Sequence, residues 1–117
     1  MMQRSIRLRL NDIIRAIDGT EGTIGGIGFK TFQTVFHTPR TVERCIEIIS
    51  EATRHIPKEM KAKYPDVPWQ QIAGIGNVLR HDYDLVDDYI TWDVAKAHFP
   101  RLRAVVVEML AELPDGE

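Results

Sequence analysis

The chain is poor in several things, and each shortage removes a class of protein. It has one cysteine, Cys45, in 117 residues, so it can form no internal disulfide and no multi-cysteine zinc site. Its longest apolar runs are four or five residues, far below the ~20 that a membrane-spanning helix needs. It lacks a surplus of positive charge: 15 Lys+Arg stand against 17 Asp+Glu, for a net charge of −2. A protein that coats nucleic acid by bulk electrostatics has a domain pI above about 9, whereas this chain's is near 6.1. The start, MMQRSIRLRLNDII, lacks the long apolar stretch of a secretory signal, so the expected compartment is the cytoplasm, with no membrane association.

What remains is ordinary globular material, 44% hydrophobic and 27% charged. The expectation is one domain over residues 1–117, which at this size buries about 65% of its unfolded surface and needs no metal or disulfide staple. The charge is uneven. Residues 1–63 carry 11 basic and 7 acidic side chains, and residues 64–117 carry 4 and 10. Either two solvated faces differ in sign, or a dipolar surface meets a complementary partner or a second copy.

The apolar spacing is helical throughout, without strand alternation. Ile6, Leu10, Ile13 and Ile17 make one stripe, which Asp18-Gly19 and the following glycines are expected to weaken and stop. Phe29 and Phe32 suggest a short turn folded back on the core. Thr38-Pro39 reads as an N-cap followed by proline at the first helical position, opening a helix with Val42, Cys45, Ile46, Ile49, Ala52 and Ile56 inward. Pro57 interrupts it and is expected to kink it, with a further turn running to Lys63. After the stiff Tyr64–Pro68 link, a third helix starts near Trp69. A turn at 81–86 leads to a short helix over 87–97 and a last one over 98–113. The expected fold is all-α, an up-and-down bundle of four to five helices.

One segment concentrates chemistry: Ile72-Ala73-Gly74-Ile75-Gly76-Asn77-Val78-Leu79-Arg80-His81-Asp82-Tyr83-Asp84. The two glycines are unfavourable inside a helix by ~1 kcal/mol each relative to alanine, which makes sense if another helix, a second subunit or a ligand packs close. Asn77 and His81 are i,i+4 neighbours. His81 and Tyr83 can converge only if the helix ends near His81. Histidine exchanges protons near neutral pH, arginine holds phosphate, and a tyrosine hydroxyl donates to it or accepts a transferred group. That set suits cleavage of RNA by its own 2′-hydroxyl without metal. It suits equally a plain helix end where Arg80 and His81 complement the dipole.

The chain resembles the HEPN-fold proteins of the HepT type, the toxin half of bacterial HepT/MntA toxin–antitoxin pairs. The resemblance runs from about Arg7 to Leu113. It rests on Leu10–Ile17, Glu47–Ala52, Pro57-Lys58-Glu59, Tyr64–Trp69 and above all Ile72–Tyr83, where the family signature is an arginine, four to six residues, then His-x-Tyr. It implies a helical homodimer with two motifs facing one cleft and RNA cleavage without metal or cofactor. It also implies a nucleotidyltransferase antitoxin partner that silences the toxin by attaching AMP to the motif tyrosine. Carried across, His81 is the catalytic histidine, Tyr83 the motif tyrosine and AMP acceptor, and Asn77 a hydrogen-bonding residue of the cleft. The arginine position is the departure: it falls on Gly76, and Arg80, one helical turn on, is the side chain placed to cover it. Two readings follow. One is a HepT-like endoribonuclease with a composite dimer site; the other is a non-catalytic helical protein that binds a nucleotidyltransferase.

Other groups read as structural. His37, His55 and His98 lie apart with no metal-ligand spacing. Glu47 and Glu51 read as an ion-paired face beside Arg44 and Arg54, with Glu51 a secondary candidate for the cleft. Cys45 reads as core, and Trp69 and Trp92 as packing groups. Asp84, Asp87, Asp88 and Asp93 read as helix capping or as a docking surface for a basic patch on the antitoxin. The basic half of the chain is expected near Arg80 and His81.

Overall fold

The computed structural model describes residues 5–81 and 88–114, with the side chains of Arg80 and His81 excepted. The turn expected at 81–86, with Tyr83, Asp84 and Asp87, lies outside the described residues apart from the backbone of His81.

Among the described residues every regular element is helical. Helix α1 (Ile6–Ile24) opens on Ser5, whose hydroxyl accepts from the Leu8 amide at 3.1 Å and so satisfies one of the unpaired first-turn donors. α1 does not stop at Asp18-Gly19. It runs a turn and a half further because Thr20 and Ile24 continue the stripe and are 2% and 1% exposed, and their burial outweighs the cost of two glycines. Gly26, with φ of +86°, then reverses the chain.

Helix α2 (Phe29–Thr34) is the expected short turn, and Phe32 within it is fully buried. Helix α3 (His37–Arg54) begins two residues before Pro39. The first four helical amides have no intrahelical partner in any case, so a proline inside the first turn costs the helix nothing. Val42, Ile46, Ile49 and Thr53 face the core. Cys45 is only half-buried, on the shoulder of the stripe and not within the core. Pro57 separates α3 from the single turn α4 (Lys58–Lys61) and does not kink one continuous helix. The link that follows is latched by Trp69, whose indole N–H lies 3.2 Å from the Lys61 carbonyl and 3.1 Å from that of Tyr64.

Helix α5 (Trp69–His81) starts where expected. Helix α6 (Asp88–Asp93) passes through one wide π-helical turn, Val94–His98, into α7 (Phe99–Glu112). The long helices α1, α3, α5 and α7 form the bundle, and α2, α4 and α6 raise the number of helical segments above the four or five expected. α3 is central, packed on α1 and α5, while α7 closes against α1. α1 and α7 are antiparallel: Arg7 donates to the Pro114 carbonyl at 3.4 Å, and Asp18 pairs with Arg103 at 2.7 Å. Trp92 closes one end of the bundle against Phe29 and Phe32, with ring centroids 5.9 and 5.0 Å away. None of the described helices is long and apolar enough to cross a membrane.

Candidate functional site

α5 carries the motif, so its placement decides what the motif can do. Its first half is fixed to α3 through one carbonyl: the Ser50 hydroxyl donates to the Ala73 oxygen at 2.7 Å, and the Arg54 guanidinium donates to it at 2.8 Å. Ser50 is fully buried, so its hydroxyl needs this acceptor. Ile72 and Ile75 meet Ile46 and Ile49 across a small apolar cavity of about 120 Å³ that Phe99 and Leu102 also line. Leu79 is 6% exposed and anchors the helix near its end. With Trp69 and Ala73 beside Arg54 and Ile75 beside Ile46, α5 runs antiparallel to α3. Its C-terminal end therefore lies toward the start of α3.

The helical register sorts the motif onto two faces. Gln70, Gly74, Asn77 and His81 share one face, and the first three are exposed. Ala73, Gly76 and Arg80 share the neighbouring stripe, and Gly76 is buried. Along the backbone of α5, position 81 falls one turn beyond Asn77 and position 80 one turn beyond Gly76. A side chain added at Gly74 would meet nothing within 4 Å, so no packing inside the protomer explains that glycine.

The segment holding Tyr83 is bracketed by the end of α5 and by Asp88, the first residue of α6. Asp88 accepts from Arg40 at 3.3 Å, and the same guanidinium holds Glu43 at 2.6 Å. This ties α6 to the start of α3, the end of the bundle toward which α5 points. Sequence spacing did not reveal the role of Arg40, because Asp88 lies 48 residues away.

The acidic side chains of α3 are ion-paired as expected. Glu47 pairs with Arg44 at 3.5 Å, and Glu51 pairs with Arg54 at 3.7 Å and faces the His55 ring at 3.1 Å. Asp88 stands in the first turn of α6, where a carboxylate favours the helix N-terminus, and also pairs with Arg40. Trp92 packs on Phe29 and Phe32 and carries Lys96 over its ring at 4.9 Å. Among the described residues no group of three or more His, Cys, Asp or Glu side chains is arranged to hold a metal ion.

Two exposed aspartates are held below their ordinary range: Asp18 by its hydrogen bond from Arg103, and Asp66 by its hydrogen bond from Arg101. Tyr64 is pushed up by burial first and by the Glu108 and Glu112 carboxylates after it. None of these groups lies in the motif.

Comparison with known proteins gives this arrangement its context. The family described as ribonuclease HepT-like matches residues 13–109, which include the whole motif. A protein of Thermococcus cleftensis named "Probable ribonuclease HepT" is 35% identical over 102 residues, covering 87% of this chain and 93% of its own length. "Putative RNase MJ0125" of Methanocaldococcus jannaschii is 30% identical over 115 residues, covering 98% of this chain and 99% of its own. No solved structure matches the chain at the same stringency. With a family match across nearly the whole bundle and relatives that align over most of the chain, the chain belongs to the HepT-like ribonuclease family.

Proposed function

We propose that this chain is the toxin of a toxin–antitoxin pair, an endoribonuclease that works without metal as a homodimer. The observation that carries the reading is the family match over residues 13–109, which spans Asn77, Arg80, His81 and Tyr83. In this reading His81 accepts the proton of the RNA 2′-hydroxyl as that oxygen attacks the adjacent phosphorus. The bond from phosphorus to the 5′-oxygen breaks, the departing oxygen takes up a proton, and a 2′,3′-cyclic phosphate remains. The developing charge on the phosphoryl oxygens needs a cation. Arg80 supplies it in place of the side chain that Gly76 lacks: the two positions share a stripe about 6 Å apart along the helix. Asn77 hydrogen-bonds in the cleft, and Tyr83 orients the phosphate. A nucleotidyltransferase antitoxin silences the enzyme by transferring AMP to the Tyr83 hydroxyl.

The test is RNA degradation and growth inhibition by the wild type, Arg80→Ala and His81→Ala. Both substitutions are expected to abolish cleavage, with losses of at least ~10²-fold from removal of a general base or a charge-stabilising group. Full activity of Arg80→Ala overturns the substitution of Arg80 for the motif arginine. Co-expression with the nucleotidyltransferase is expected to raise the intact mass in adenylate steps, and Tyr83→Phe to remove them.

The buried glycine at position 76 favours a second reading, a helical protein that binds the nucleotidyltransferase and keeps the tyrosine without nuclease activity. RNA left intact by purified wild type, with adenylation of Tyr83 retained, selects that reading.

A further inference from the structure

The cations of α3, α4 and the residues up to Lys63 divide into two sets. Arg40, Arg44 and Arg54 of α3 are ion-paired to carboxylates, and Lys63 is paired with Glu112 at 3.6 Å. Lys58 and Lys61 are different. They stand i,i+3 on α4, and among the described residues neither has a carboxylate within ion-pair distance. Both line an open groove of about 540 Å³ between α4 and the first half of α5, together with Arg54, Trp69, Gln70 and Ala73. Among the described residues no carboxylate lines that groove. Arg54 is held rigidly on the Ala73 carbonyl and forms a fixed wall.

We infer that this groove is a subsite for the sugar–phosphate backbone of single-stranded RNA, with Lys58 and Lys61 on its phosphates and the strand continuing along α5 to His81. The groove opens at Gln70, the first residue of the exposed face that Gly74, Asn77 and His81 continue. From Gln70 to His81 is about 16 Å of helix, a span of a few nucleotides. Gly74 leaves that path clear, since even a β-carbon there would touch nothing.

The charge state of the groove supports the assignment: Lys61 is pushed down first by burial and then by the charge of Lys58. Two like charges are thus held close without a counter-charge, and an anion between them relieves both. The groove fits RNA better than an acidic protein. Its charged lining, Arg54, Lys58 and Lys61, is of one sign, and its apolar lining is the half-buried Trp69 with the small Ala62, Pro65 and Ala73, which leaves no large exposed anchor at its centre.

This subsite rests on the ribonuclease reading above, and its test separates the two. Binding of a fluorescein-labelled single-stranded RNA to full-length His81→Ala protein is followed by anisotropy across a salt series. Adding Lys58→Gln and Lys61→Gln is expected to weaken binding roughly tenfold at low salt and to lower the slope of log K against log salt by about 1.4, the value for two phosphate contacts on a single strand. Lys30→Gln with Lys96→Gln removes the same charge from two other exposed positions and is expected to leave the slope nearly unchanged. An unchanged slope in the Lys58/Lys61 variant, or an equal fall in the control pair, overturns the subsite. It is also overturned if the Lys58/Lys61 variant keeps its RNA affinity but loses binding to the purified nucleotidyltransferase, which would make the groove a protein-docking surface. If wild type fails to cleave while the lysine-dependent slope holds, the catalytic reading falls and the subsite stands. If wild type cleaves and the slope does not move, the reverse is true.

Discussion

Single residues set the local chemistry of α5. Gly74 is helical, exposed and surrounded by open space, so it weakens the helix with no return inside the protomer. Gly74→Ala is expected to raise stability by up to ~1 kcal/mol in denaturant titration, and a loss of RNA binding or cleavage in that stabilised variant marks the position as a contact surface. Gly26 is the opposite case. Its φ of +86° is one that an L side chain resists, so Gly26→Ala is expected to lose about 1 kcal/mol by the same measurement. Ser50 is fully buried with its hydroxyl on the Ala73 carbonyl at 2.7 Å. Ser50→Ala is expected to cost about 1 kcal/mol and to loosen the first half of α5, seen as faster amide exchange there. That residues 69–81 form one helix was legible from spacing. That Gly76 is buried while Gly74 is open was not legible, because two glycines two apart look alike until the neighbouring helix is in place.

Whole elements show where helical periodicity is enough and where it misleads. The stripes of α3, α5 and α7 locate those helices to within a residue or two, since the buried apolar side chains of α3 and α7, and Leu79 with the half-buried Trp69, Ile72 and Ile75 of α5, leave little choice of face. α1 outran its expected end because the signal for stopping, a run of glycines, is a local preference of about 1 kcal/mol per residue, while the burial of Thr20 and Ile24 is a tertiary gain. α2 is too short to hold by itself and depends on Phe32, which fills the core beside Trp92. Phe32→Ala is expected to cost 3–5 kcal/mol, roughly, read as a fall in the urea midpoint. α1 and α7 are joined by Asp18 and Arg103 at 2.7 and 3.1 Å. Arg103 holds the Asp18 carboxyl below its ordinary 3.8. The pair therefore adds stability above that value and loses it as pH falls through the lowered one. Arg103→Ala is expected to flatten the acid limb of the stability curve below about pH 4 and to leave it unchanged near pH 7 apart from a constant offset; an unaltered acid limb would show that the pair does nothing. Both groups are exposed, so the effect is small and screened by salt.

At the scale of the molecule, the described bundle measures 44 × 30 × 28 Å with a radius of gyration of 14.4 Å, slightly more extended than the ~13 Å of a rounded domain of this length. The charge division takes on spatial meaning at this scale. The three arginines of α3, Arg40, Arg44 and Arg54, are each paired with a glutamate of their own helix, so they do not form a free basic face. Lys58 and Lys61, which among the described residues have no carboxylate within ion-pair distance, lie beside the first half of α5. A homodimer that brings two copies of α5 together pools these groups across two subunits. Sedimentation is expected to show a dimer at micromolar concentration, and heterodimers of His81→Ala with Arg80→Ala are expected to regain cleavage if the site is composite.

The sequence alone determined that the chain is helical and which faces of its helices turn inward. Periodicity, capping and residue type are properties of neighbours along the chain, and they survive without a fold. Tertiary structure alone decided that α3 sits at the centre, that Arg40 joins Glu43 to Asp88 across 48 residues, and that two lysines of a single helical turn are left without counter-charges at the edge of the motif helix. Those facts depend on which surfaces meet. Meeting is fixed by the summed burial of whole faces, which no local window contains.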